Sequence, residues 1–321
     1  MMTREEIIVF LGSSWGRTLE VFSGALATDM ELLRRTNDSI LSNPGKCIRP
    51  ILSLLVAKVF GEPNGDSCRF AAAVELLHNA TLIHDDVADN SFVRRGAPTV
   101  MADLGKVPAV LVGDFWLARA LDVIMGSERR DIALRFFSKT ICDLAEGEML
   151  QLQKAACGDT TIGDYLKIVY CKTASLFETA TVSGAASVDA AEDMREVAGR
   201  YAVCLGTAFQ IRDDILDFGD AAKAGKSVGV DIREGKITVP LLCALEGAPE
   251  EEDIRGLMRE MASHPEYGDE VRRFVDRRGG VRLARRVLEK YVDESLDALG
   301  AMPPGKVRDL LSEFTAMIRK V

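Results

Sequence analysis

Residues 71–90 read AAAVELLHNATLIHDDVADN, and this stretch decides the fold. Its apolar residues recur at three- and four-residue spacing and cover more than one face before giving way to Asp85, Asp86 and Asp89. That pattern predicts a helix that runs through a core and ends in carboxylates. PAVLVGDFWLARALDVIM (108–125) and EVAGRYAVCLGTAFQIRDDILDF (196–218) read the same way. With 10 prolines in 321 residues and no series of alternating strands, the expected class is all-α. Helices apolar on more than one face predict layers around a buried centre rather than a thin bundle.

Lys and Arg total 40 against 49 Asp and Glu, a net charge of −9. This argues against a nucleic-acid partner, which requires a basic face. Hydrophobic residues at 47% and charged ones at 28% are ordinary for a globular protein. Seven cysteines (Cys47, Cys68, Cys142, Cys157, Cys171, Cys204, Cys243) stand singly, as expected of thiols in a reducing compartment. MMTREEIIVF lacks signal-peptide order, and no apolar run approaches the ~20 residues of a membrane span, so the expected location is cytoplasmic. GEPNGD (61–66) reads as a loop before a helix starting near Asp66 or Ser67, and RGAP (95–98) as a second break. The longest polar interruption is 219–236, GDAAKAGKSVGVDIREGK. GAPEEED (247–253) and DRRGG (276–280) are helix–helix connections; without a repeat or linker, residues 1–321 read as a single domain.

Asp85, Asp86 and Asp89 form D-D-x-x-D, and Asp213, Asp214 and Asp217 repeat that spacing in FQIRDDILDF (209–218). Residues four apart on a helix differ by about 40° in direction, so Asp85 and Asp89 can reach one ion. Carboxylates at that spacing, near a helix C-terminus, repel each other and oppose the helix dipole. A bound cation reverses both penalties, and an all-oxygen ligand set favours Mg²⁺ that also binds phosphate. Basic residues accompany the acids: Lys46 and Arg49 in GKCIRP (45–50), Arg94 and Arg95, Lys172 beside Thr173 in YCKTASLF (170–177), and Lys226 and Lys236. Arg offers a fork for phosphate oxygens and Lys a mobile point charge. Lys172 is notable because a Lys amid apolar residues needs a partner. His78 lies about 20° from Asp85 around the helix; His84 reads as structural.

With these motifs in order from residue 45 to 240, the sequence resembles the trans-isoprenyl diphosphate synthases of the polyprenyl synthetase family. The resemblance rests on GKCIRP (45–50), ELLHNATLIHDDVADNSFVRRG (75–96), GDFWLARA (113–120), KTASLF (172–177), FQIRDDILDF (209–218) and GKSVGVDIREGKITVP (225–240). It implies an isoprenoid-synthase bundle of roughly ten or more helices around a deep central cavity, commonly homodimeric. Asp85, Asp89 and Asp213 are then expected to hold Mg²⁺, three ions per site, with Asp86, Asp214 and Asp217 as direct or water-mediated supports. Arg94, Lys172, Lys226 and Lys236 would contact an allylic diphosphate, and Lys46, Arg49, His78 and Arg95 isopentenyl diphosphate. Thr173 and Gln210 would position reacting groups, with Gln151 as a further polar cavity residue.

The resemblance also bears on product length, because residues four and five before the first aspartate help set the depth of the family's tail cavity. Here they are Thr81 and Ala80, neither aromatic. The expected product is long, of the octaprenyl class, from a farnesyl or geranylgeranyl diphosphate primer, with transient membrane contact for product release. Trp116, Phe136 and Phe137 are candidates for the tunnel floor. The alternatives are a short-chain geranylgeranyl or farnesyl diphosphate synthase and a non-catalytic subunit of a heteromer; two complete motifs argue against the latter. Asp85→Ala or Asp213→Ala is expected to lower turnover by orders of magnitude while circular dichroism retains the helical signal.

Overall fold

The computed structural model describes residues 3–43, 45–94, 96–219 and 229–320. The chain opens with α1 (Arg4–Leu11), whose first turn is closed by Thr3 and Glu6 capping each other's amides, followed by α2 (Ser13–Ala25) and α3 (Glu31–Leu41). Next come α4 (Ile48–Phe60) and α5 (Gly65–Ala88). The start of α5 is set by Asn64, whose Oδ1 accepts the amides of Asp66 and Ser67 at 2.9 and 3.1 Å. It precedes the expected start because the Asn side chain supplies the acceptor that the first turn lacks.

After α5 the chain forms a two-residue ribbon, Val93–Arg94 paired antiparallel with Ala97–Pro98, where the sequence showed only a break. The remaining helices are α6 (Val100–Leu104), α7 (Lys106–Met125), α8 (Arg130–Cys157), α9 (Ile162–Val169), α10 (Ser175–Ser187) and α11 (Glu192–Asp217), then α12 (Val230–Arg233), α13 (Val239–Leu245), α14 (Glu251–Glu260), α15 (Gly268–Arg278), α16 (Gly280–Gly300) and α17 (Lys306–Met317). A π-helical turn, Tyr170–Ala174, joins α9 to α10. The short α12 lies inside the stretch read as one long loop, and residues 220–228 of that stretch lie outside the described ones. Apart from the ribbon, the regular structure among the described residues is all helical, as the periodicity predicted. Among the described residues no helix is long and apolar enough to cross a membrane.

The residues group into two compact units, each assembled from distant segments. The first lies within 1–139, 179–199 and 302–310, the second within 140–178, 200–301 and 311–321. In the first, α5 packs against α7, α2 and α4, and the run from Phe70 to Leu77 is buried on every face. That is why this helix shows little amphipathic bias in sequence. The His84 ring fills the notch left by Gly113 of α7, which agrees with a structural role for that histidine. In the second unit α13 is buried along nearly its whole length and packs on α16 and α15. Tyr201 of α11 reaches Thr315 of α17 at 3.1 Å in the interior.

One close approach fixes α10 on α4. A Cβ added at Gly184 would run into the backbone carbonyl of Ser53, which cannot rotate away. Gly184→Ala is therefore expected to destabilise the protein by about 1–3 kcal/mol, read as a lower urea midpoint at unchanged slope.

Candidate active site

In the first unit the end of α5 sorts its three aspartates by exposure. Asp86 is buried, Asp85 half-buried, and Asp89, at the helix C-cap, exposed. Asp86 accepts from Arg94 Nε at 2.8 Å, so the ribbon carrying Arg94 is tied to the helix end. Burial pushes the Asp86 carboxyl above the usual range; Arg94 opposes this, and the charge of Asp89 adds to it. One helical repeat earlier, His78 Nε2 lies 3.0 Å from Arg49 Nη1. The guanidinium can only donate, so His78 accepts there. The structure thus joins two residues assigned above to one diphosphate. Lys46, which precedes α4, is exposed.

In the second unit a continuous network surrounds the other motif. Thr173 Oγ1 donates to Gln210 Oε1 at 2.8 Å, Gln210 Nε2 donates to Asp214 Oδ1 at 2.9 Å, and Tyr165 Oη donates to Asp214 Oδ2 at 2.6 Å. The Gln210 amide is oriented at both ends, because a carboxylate demands the NH₂ side. Burial raises the Asp214 carboxyl to about 6, against the pull of its donors Tyr165, Gln210 and the Val239 amide. Asp217 is also engaged: its oxygens accept the amides of Val230 and Asp231 at 3.1 and 3.0 Å, closing the start of α12. Asp213 is the exposed member. Asp231 is pushed up to about 7 by burial and by the charges of Asp214 and Asp217.

Lys172 and Thr173 are consecutive residues of the π turn. Lys172 pairs with Glu148 of α8, and Lys236 with Glu234 at 2.6 Å. Ala80 is buried and Thr81 half-buried, its hydroxyl turned onto the His78 carbonyl at 2.8 Å. Phe137 is wholly buried and Phe136 and Gln151 are half-buried, while Trp116 donates to Asn37 at 2.9 Å inside the first unit. Arg95 and Lys226 lie outside the described residues. Among the described residues no three His, Cys, Asp or Glu converge into a group that could hold an ion unaided.

The sequence profile described as polyprenyl synthetase matches residues 30–275. The all-trans-nonaprenyl-diphosphate synthase (geranyl-diphosphate specific) of Rhodobacter capsulatus is 36% identical over 98% of this chain and 97% of its own. A short chain isoprenyl diphosphate synthase of Methanothermobacter thermautotrophicus is 32% identical over 88% of each. Among solved structures, a decaprenyl diphosphate synthase from Rhodobacter capsulatus superposes with a TM-score of 0.92 at 29% identity, over 99% of both chains. A polyprenyl synthase from Caulobacter crescentus, complexed with calcium and isoprenyl diphosphate, gives 0.89 at 29% identity, over 99% of this chain and 98% of its own.

The chain belongs to the polyprenyl synthetase family. It has the family's isoprenoid-synthase fold and is a trans-prenyltransferase, a polyprenyl diphosphate synthase in the general sense. Beyond the family motifs, the structure adds Tyr165 and Glu148, and within the motif 225–240 it adds Asp231, none of which the sequence singled out individually. Tyr165 is 49 residues from its carboxylate partner, and nothing in its local pattern signals that contact.

Tyr165→Phe removes a donor from a buried carboxylate and leaves the ring in place. Stability is expected to fall by about 1–3 kcal/mol in urea denaturation. Turnover should fall more than the fraction unfolded explains, because Gln210 and Thr173 lose their anchor.

Proposed function

We propose that this enzyme condenses isopentenyl diphosphate repeatedly onto an allylic diphosphate, with Mg²⁺ bound, to an all-trans product of the octaprenyl class. The observation that carries the length is the absence of an aromatic side chain at 80 and 81, one turn below Asp85. The nonaprenyl relative supports the long-chain reading, and the short-chain relative supports a geranylgeranyl or farnesyl product as the second reading.

The residues present suit Mg²⁺. The donors are carboxylates, and burial of Asp86 and Asp214 raises an electrostatic cost that a cation offsets. Asp85, Asp89 and Asp213 would hold the ions, with three per site as the working number. Asp86, Asp214 and Asp217, each tied inward, would keep the outward aspartates in place. When bound, Mg²⁺ neutralises the diphosphate as it becomes a leaving group. Bound calcium in the Caulobacter structure supports a divalent-ion site.

The chain's own residues then act as follows. Lys172, Lys236 and Lys226 contact the allylic diphosphate and stabilise the charge that develops on it. Arg94 uses its Nε on Asp86, which leaves its terminal nitrogens for phosphate oxygens. Arg49, His78, Lys46 and Arg95 hold isopentenyl diphosphate so that its double bond faces the allylic carbon. The oriented Gln210 amide and the Thr173 hydroxyl face the developing positive charge, and the proton lost after carbon–carbon bond formation goes to the departing pyrophosphate. Apolar walls keep water from the carbocation.

We further propose a homodimer. On α7, Val107, Leu111 and Met125 are 72%, 62% and 50% exposed and share one face, interrupted by the exposed Asp114, that a second copy would cover. A cytoplasmic location, with transient membrane contact for product release, completes the proposal.

Reversed-phase chromatography of the dephosphorylated product decides the length. The expected main product is long from a farnesyl or geranylgeranyl primer, and Ala80→Phe should shorten it while preserving the first condensation. A wild-type enzyme that stops at geranylgeraniol would establish the second reading.

A further inference from the structure

The motifs account for Lys172 but not for the carboxylate beside it. Gly147 of α8 lies directly against the π turn: a Cβ there would come within 2.5 Å of Cys171 Cβ and 3.0 Å of Lys172 Cγ. This close approach delivers the next residue, Glu148, to the Lys172 ammonium, and the two are in direct contact. The side chains are only 23% and 18% exposed for Lys172 and Glu148. Both Glu148 oxygens are shielded from solvent, and neither receives an aligned hydrogen bond among the described residues. The contact is thus an ion pair more than a directed hydrogen bond. It is the one ion pair recorded for Glu148 among the described residues.

A shielded carboxylate with a single counter-charge cannot cheaply release it. If Lys172 swung away to meet a diphosphate, Glu148 would be left charged, buried and unmatched. An ammonium has three N–H donors, so it can remain on Glu148 and still present the others. We propose that Glu148 is a positioning residue that tethers Lys172. The lysine then meets the allylic diphosphate from a fixed point, and its charge is shared, so pyrophosphate is not held too tightly to leave. This rests on the assignment of Lys172 to the diphosphate made above. Glu148 itself touches neither reacting carbon nor phosphate in this scheme. Its effect passes through Lys172 alone.

The test uses the full chain with Glu148→Gln, Glu148→Asp, Lys172→Ala and the double variant Glu148→Gln/Lys172→Ala, reading kcat, KM for the allylic diphosphate and inhibition by inorganic pyrophosphate. Glu148→Gln keeps the shape and removes the charge. Its kcat is expected to drop about 10-fold or more, because the lysine is no longer placed. Pyrophosphate inhibition should meanwhile tighten about 3-fold, because a competing carboxylate is gone. A purely structural role would weaken both together. Glu148→Asp should recover part of kcat, and Glu148→Gln should cost nothing further once Lys172 is Ala. The proposal is overturned if Glu148→Gln keeps wild-type kcat and pyrophosphate inhibition, or if its cost is the same with and without Lys172. If the lysine variant fails to fold with its carboxylate stranded, Glu148→Gln is compared with the charge-free double variant; equal pyrophosphate inhibition in those two also overturns it. A folded Lys172→Ala enzyme with unchanged pyrophosphate inhibition removes the diphosphate assignment itself. That failure is distinct, because it appears without any change at Glu148.

Discussion

A carboxylate taken out of water must be met by donors or by a cation, and the second aspartate of each motif is where this chain meets that demand. Asp86 is met by Arg94, and Asp214 by Tyr165 and Gln210. These inward contacts hold the last turns of α5 and α11 against their surroundings. The neighbouring aspartates can therefore face outward without fraying a helix end already strained by like charges. The same demand recruits residues with no chemistry of their own to perform: a buried tyrosine, an oriented amide and, at Asp217, two backbone amides. Remove the burial of Asp214 and there is no reason for Tyr165 to be a tyrosine.

Much of this was legible in the sequence. The three- and four-residue apolar spacing marked α7 and α11 to within a few residues, and the repeated D-D-x-x-D spacing named the six carboxylates. Spacing did not say which carboxylate of each pair turns inward. Asp85 and Asp86 differ by about 100° around one helix, and burial is decided by elements far away in the chain. Glu148 escaped notice for a related reason. It lies three residues before Gln151 in GEMLQLQ (147–153), and its importance depends on Gly147 allowing α8 to touch a turn more than twenty residues later. The ribbon at Val93–Arg94 was unreadable because two residues are too few to show alternation.

The acidic net charge also has a local meaning. Two of the basic residues that the family motifs supply, Lys172 and Lys236, each stand beside a glutamate. Arg94 stands on an aspartate. These three cations are held in place by anions rather than spread as a basic surface, which suits a small, multiply charged ligand better than a long polymer.

The π turn at Tyr170–Ala174 has a consequence best counted in residues. On an ideal α-helix Tyr165 and Thr173 would point about 80° apart. A wider turn rotates less per residue, so the two are drawn toward one side, where they meet Asp214 and Gln210, themselves a single turn apart on α11. Seven residues apart on a regular helix the pair would differ by only about 20°, so the wide turn absorbs an eighth residue without breaking the circuit. It keeps on one side two groups that the added residue would otherwise separate.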